Sequence, residues 1–222
     1  MAGQIKIVPE RPMVQALGDS AILVRFGSQL DEKANRQAIG FATALEDRPV
    51  PGIVEIVPSL VSVLLRYDPA QSRHQDIEGE IRLRLHGADD APPGAVHRIG
   101  VSFGGEAGPD MTEVAALLKI SVEDFVARHN AAPLRVLATG FAPGFVYCGF
   151  HDATLNLPRR DKVRPLVPAG SVLFAAGQTA IAATDIPTGW HVIGRTNFNN
   201  FDRGATPPTQ LRAGDSVAFE VA

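Results

Sequence analysis

The chain has 222 residues, with 21 Lys and Arg against 24 Asp and Glu, a formal charge of -3, and 45% hydrophobic residues. That balance rules out intrinsic disorder, which needs low hydrophobicity and high net charge. It also argues against a general nucleic-acid binder, whose affinity rests on neutralising phosphates with Lys and Arg. The lone cysteine, Cys148, excludes an internal disulfide framework and any multi-cysteine metal site, and it fits a reducing compartment.

The opening MAGQIKIVPERP has no apolar core of a secretory signal. Ala21 to Phe26 is a short apolar run after the turn signal Gly18-Asp19, and it predicts a strand. From Asp31 to Glu46 the apolar residues Ala34, Ala38, Phe41, Ala42 and Leu45 recur at steps of three and four, the period of an amphipathic helix. Pro49, Pro51 and Gly52 stop it. Strands follow at Ile53–Val57 and Leu60–Tyr67, split by a tight turn at Pro58-Ser59. Ile77, Ile81 and Leu85 then predict a second helix. This βαββα order predicts a small α+β sandwich with both helices on one face of a mostly antiparallel sheet.

The acidic, proline-rich GADDAPPGA (87–95) marks the domain boundary, which gives an α+β domain over residues 1–90 and a second domain over 91–222. The second opens with a strand at Val96–Phe103. Two helices follow, the first capped by Asp110 with Glu113 and the second by Ser121 with Asp124. From Leu134 the pattern shifts to short runs at 134–139, 171–175, 179–183, 190–193 and 216–221, separated by Gly and Pro, the signature of a β-rich sandwich or barrel. The longest uncharged run, Pro165 to Thr184, is dense in Pro, Gly and polar groups, which suits strands and turns rather than a lipid-facing helix. A soluble, cytoplasmic protein without membrane or nucleic-acid partners is expected.

Common nucleotide signatures are missing. Gly104-Gly105-Glu106-Ala107-Gly108 can be an anion-binding backbone nest or simply the turn before the next helix. Gly140 to Gly149 packs Phe141, Phe145 and Tyr147 among Gly144, Pro143 and the flanking glycines. Such a stiff apolar loop can wall a small-molecule pocket or form a buried barrel corner. Arg159 and Arg160 read as a solvated loop. Arg164 and Arg195, each beside a dense Gly/Pro segment, suit carboxylate or phosphate recognition. His129 lies on the helical stripe Val122, Phe125, Val126, where a histidine is either half-buried packing or catalytic; His151 and His191 carry less weight. Cys148 lacks a neighbouring base and reads as packing. No zinc-type histidine pattern occurs and no metal site is expected.

An ordered series of segments carries a family resemblance: GGEAGPD (104–110), His129, GFAPGFVY (140–147), VPAGS (167–171), GQT (177–179), GW (189–190), IGRT (193–196) and Phe201-Asp202, with GDSAILVRFG and VPSLVSVLLRYDP nearer the start. In these the chain resembles the 5-oxoprolinase B-subunit family, formerly labelled allophanate hydrolase subunit 1, which includes the kinase inhibitor KipI. The resemblance implies a cyclophilin-like β-barrel for the second domain. It further implies one component of an enzyme that opens 5-oxo-L-proline to L-glutamate while ATP is split, active in complex with homologues of the C and A subunits. ATP would be a co-substrate carrying Mg2+ through the nucleotide, with no tightly bound cofactor. Under that resemblance Arg195 and Arg164 hold anionic groups, Gln178 and Thr179 donate hydrogen bonds, Phe141, Pro143, Gly144 and Phe145 wall the pocket, and His129 is an acid/base or positioning group. Its other implied roles are a KipI-like inhibitor of a sensor histidine kinase and an accessory in urea or allophanate metabolism. Several positions depart from the family pattern: Gly100 for Pro, Phe103 for Tyr, Ala176 and Ala180 for glycines around GQT, Ala182-Ala183 for Tyr-Pro, and Pro187-Thr188-Gly189 for Pro-Gly-Gly.

Overall fold

The computed structural model describes residues 12–85 and 93–222; the opening segment and most of the proposed boundary (87–92) lie outside the described residues. The chain divides into two compact units, Met1–Pro92 and Pro93–Ala222.

In the first unit four strands, β1 (Met13–Leu17), β2 (Ala21–Arg25), β3 (Ile53–Pro58) and β4 (Ser62–Tyr67), form a sheet in the order β1-β2-β4-β3. Every pairing is antiparallel. Ile22 and Val24 of β2 stand opposite Leu65 and Val63 of β4 and share one buried face. Helices α1 (Glu32–Asp47) and α2 (His74–Leu85) lay their apolar stripes on that same cluster, Ala34, Ala38, Phe41 and Leu45 from one and Ile77 and Ile81 from the other. Asp31 starts α1 by accepting the Ala34 N–H at 2.9 Å. Buried Asn35 donates from its side chain to the Leu60 carbonyl at 2.8 Å and ties the helix to the β3–β4 turn. The expected sandwich is present with one strand more than the periodicity shows. β1 is exposed at four of its five residues, so it never acquired the alternation that marks a half-buried strand.

The second unit is a closed barrel in the order β10-β7-β6-β13-β5-β12-β9. Its strands are β5 (Val96–Phe103), β6 (Leu134–Thr139), β7 (Val146–Gly149), β9 (Ser171–Ala175), β10 (Gln178–Ile181), β12 (His191–Arg195) and β13 (Ser216–Val221). The first and last of these, β5 and β13, run parallel; the other pairings are antiparallel. Alternation sends Ile99, Val101, Val146, Cys148, Val172, Phe174, Ile181, Val217 and Phe219 into a single core. The helices α3 (Met111–Leu118) and α4 (Val122–His129) add Met111, Val114 and Phe125 to it. The intervening residues Leu173, Ala175, Ala180 and Val192 face outward into a second cluster with Val167 and Ile186. Those two come from a separate ribbon, β8 (Arg164–Val167) paired with β11 (Ile186–Thr188), so part of the barrel wall is buried on both sides. Among the described residues no helix is long and apolar enough to cross a membrane.

Ser121 caps α4 as expected, accepting from Asp124 N–H at 3.0 Å. Asp110 does not cap α3 with its side chain. Its carboxylate is drawn elsewhere: Oδ2 accepts the Val192 N–H at 2.8 Å, and Oδ1 accepts from both Arg160 and Arg164. A buried carboxylate with two guanidinium partners gains more from charge-assisted bonds than from a helix amide.

Candidate functional site

A buried polar cluster lies against the barrel core. Thr179 faces inward on β10, its Cα paired with Cys148 on one side and Phe174 on the other. His129 ends α4 and brings Nε2 to 2.8 Å from Thr179 Oγ1. His151, just beyond β7, brings its own Nε2 to the same oxygen at 2.8 Å. The two imidazole centroids lie 4.8 Å apart, and Phe103, Phe125 and Phe219 surround His129 at 5.2 to 5.7 Å.

Hydrogen-bond chemistry orients this chain. His129 Nδ1 contacts Asn130 Oδ1 at 2.6 Å, and an amide oxygen only accepts, so Nδ1 carries the proton. Nε2 is then a lone pair that takes the Thr179 hydroxyl proton. The Thr179 oxygen, having donated, accepts from His151 Nε2–H. The order of donation is therefore His151 to Thr179 to His129 to Asn130 along neutral groups. Burial pushes His129 down to about 4, opposed by the Asn130 bond, and burial together with the neighbouring His129 pushes His151 to about 3. Both imidazoles are neutral at physiological pH.

The GFAPGFVY loop occupies a second place. Phe141 is 71% exposed with φ of +74°, a conformation a phenylalanine adopts at a cost. The turn closes through Phe145 N–H to Ala142 O and Gly140 N–H to Phe145 O, both 3.0 Å. A Cβ at Gly144 would lie 2.6 Å from Phe201 Cβ, so only glycine fits, and buried Asn200 holds the Gly144 carbonyl at 3.0 Å. Rings then run in sequence, Phe141 to Phe145 at 5.4 Å, Phe145 to Tyr147 at 4.8 Å and Tyr147 to Trp190 at 6.0 Å. The Arg159 guanidinium caps the row, 5.8 Å over Trp190. Pro143 is exposed at the tip. The loop thus has an exposed aromatic edge and a buried foot, with β7 beginning at Val146.

The arginines separate by chemistry. Arg164 is bound to Asp110, and so is Arg160 at 2.8 Å, which also reaches Glu113 at 3.1 Å. Arg160 is therefore not a solvated loop residue but half of a clamp joining the 158–164 segment to the start of α3. Arg195 is exposed on β12 and among the described residues has no carboxylate partner, only the Ala169 carbonyl at 3.4 Å. It lines a cavity of about 370 Å³ that Arg164 does not. Gln178 stands beside Thr179 on β10, and by alternation its side chain is on the opposite, outer face of the barrel. In the 104–108 segment the Gly104 and Gly108 N–H groups are spent on Ile193 O and Gly104 O. A Cβ at Gly108 would lie 2.1 Å from Ile193 O, so the segment is a turn under close backbone approach.

Of the expected site residues, His129 and Thr179 are joined directly, Phe141, Pro143, Gly144 and Phe145 form one loop, and Arg164 and Arg195 have separate partners. His151, Asn200, Tyr147 and Trp190 complete these groupings without a local signal strong enough to single them out. Position on the inward or outward side of a barrel strand was the missing information.

A family model for the carboxyltransferase domain, subdomain C and D, matches residues 12–211, which sets the class of protein. The B subunit of 5-oxoprolinase from Bacillus subtilis (strain 168) is 35% identical over 223 residues, 94% of this chain and 92% of that protein. The chain belongs to the 5-oxoprolinase B-subunit family. The solved structure of TTHA0988 is 34% identical with a TM-score of 0.81; the match covers 95% of this chain but 40% of that longer one. Kluyveromyces lactis urea carboxylase shares the fold, with a TM-score of 0.76 at 16% identity over 95% of this chain and 22% of that one.

Proposed function

We propose that the chain is the B subunit of an ATP-dependent 5-oxoprolinase, working in the cytoplasm with homologues of the A and C subunits. The observation that carries this reading is the near full-length match to a curated 5-oxoprolinase B subunit at 35% identity. A five-membered lactam is a poor electrophile, which is why ATP is needed. Transfer of the γ-phosphoryl group to the amide oxygen releases ADP and leaves a phosphorylated imidate. Water adds to the ring carbon, the C–N bond breaks as the nitrogen takes a proton, and an acyl phosphate remains. A second water then releases phosphate and leaves glutamate. Such a sequence needs fixed cationic donors for anionic groups, an exclusion wall and a proton acceptor.

On this reading Arg195, which meets no carboxylate among the described residues, holds an anionic group. Arg164 acts at one remove, because Asp110 already takes its charge and it positions the β8 segment. The Phe141–Phe145 loop supplies the wall, and Gln178 lies on the outward barrel face at the other end of β7, near Gly149. His129 is a positioning group that locks Thr179 and His151. The test is reconstitution with homologues of the A and C subunits and MgATP, reading phosphate release. Release that depends on 5-oxo-L-proline and on this chain is expected; none with all three proteins folded and mixed rejects the reading.

A further inference from the structure

The Arg195 cavity has a second half. On the outer side of β5, Arg98, Gly100 and Ser102 follow one another at the strand period of two, and Ser102 stands directly opposite Arg195 in the antiparallel pair. Asn197 and Phe198 close the far side. Glu220 neutralises Arg98 across the β5–β13 ladder, which leaves Arg195 as the uncompensated charge of the lining. Among the described residues the side chains of Ser102 and Asn197 make no hydrogen bond. Three polar groups thus converge on one groove, and the only bond any of their side chains makes among the described residues is the long one from Arg195 to the Ala169 carbonyl. Next to it a trough of about 490 Å³ is lined by Phe103, Val122, Val126, Ala127 and Val221 with the Glu123 carboxylate among them, and it shares Ser102 and Ala222 with the first. Gly100 keeps the passage open, since a Cβ there would already touch Ala222 at 3.4 Å.

We infer that this groove is a subsite for a small monocarboxylate with a compact apolar body, its carboxylate on Arg195, its polar edge on Ser102 and Asn197, and its apolar side over the trough. One guanidinium matches a single negative charge. A phosphate is disfavoured, because phosphate sites recruit backbone N–H groups, and those of Gly104 and Gly108 beside the groove are already bonded within the chain. The inference rests on the proposed function for the identity of the ligand, since 5-oxo-L-proline is such a molecule, but the groove can be tested apart from it.

The experiment is calorimetric titration of the full chain with 5-oxo-L-proline, 2-pyrrolidinone, pentanoate and inorganic phosphate, paired with KM for 5-oxo-L-proline in the reconstituted complex. Saturable binding of the two carboxylates is expected, with 2-pyrrolidinone and Arg195→Gln each about tenfold weaker or worse, and Arg195→Lys keeping part of the affinity. In the complex, Arg195→Gln should raise KM by a similar factor. Pentanoate held through Arg195 while the complex fails to turn over 5-oxo-L-proline would sink the proposed function and leave the groove standing. Turnover with a KM indifferent to Arg195→Gln, or phosphate binding tighter than either carboxylate, overturns the groove and spares the function. Arg195 is exposed, so its variants fold.

Discussion

Two neutral imidazoles sharing one buried hydroxyl make the barrel unit sensitive to acid. His129 falls from the ordinary 6.5 to about 4 in the folded chain, and His151 to about 3. A group whose folded pKa is depressed leaves the unfolded state with more bound protons across the window between the two values, so stability drops as pH falls from about 6.5 toward 4 and 3. At pH 5 each unfolded imidazole sits about 1.5 units below its midpoint, which at about 1.4 kcal/mol per unit costs the fold about 2 kcal/mol per histidine. The pair therefore removes about 4 kcal/mol between pH 7.5 and 5, a large share of a typical domain's 5 to 15 kcal/mol. The assay is urea unfolding followed by fluorescence, because the chain's single tryptophan is Trp190, within this unit. His129→Gln and His151→Gln each remove one titrating group, so each should flatten the pH dependence by about half while lowering stability at pH 7.5. If either variant keeps the wild-type slope between pH 7.5 and 5, the burial argument for that histidine is wrong.

Ala176 stands at φ of +51°, a conformation glycine adopts without cost, so Ala176→Gly should raise stability by about 1 kcal/mol, read as a higher urea midpoint with unchanged m-value. Asp110→Asn leaves Arg160 and Arg164 facing a neutral amide in a mostly buried place and should cost about 3 kcal/mol in the same measurement. Burial pushes the Cys148 thiol up to about 12, so an aromatic disulfide reagent should leave it unmodified at pH 8 in native protein and label it fully in urea; rapid native labelling would contradict its place in the barrel core.

Where a side chain's role follows from its near neighbours in sequence, the linear reading served well. The α1 stripe, the Ser121 cap and the strands at 96–103, 134–139, 171–175 and 216–221 all rest on local period or local hydrogen bonds. Asp110 looked like a cap for the same reason. Its true partners, Arg160, Arg164 and Val192, lie 50 residues or more along the chain, and no local pattern encodes them. The role of His151 likewise depends on Thr179, 28 positions away. Four basic residues in six read as a charged face, which holds for Arg159, exposed over Trp190, but not for Arg160, seated in the Asp110 clamp.

Periodicity and turn chemistry alone carried the α+β character of the first part, the β-rich character of the second and most of the elements, because those depend on forces that act within a few residues; the barrel itself came from the family resemblance, and β1, β7, β8 and β11 left no periodic signal. Which arginine is taken by Asp110, which threonine faces inward and which two histidines meet on it were settled by tertiary structure. Closing the β9–β10–β7 wall assigns each residue a side, and that assignment is a property of all seven strands together rather than of any one of them.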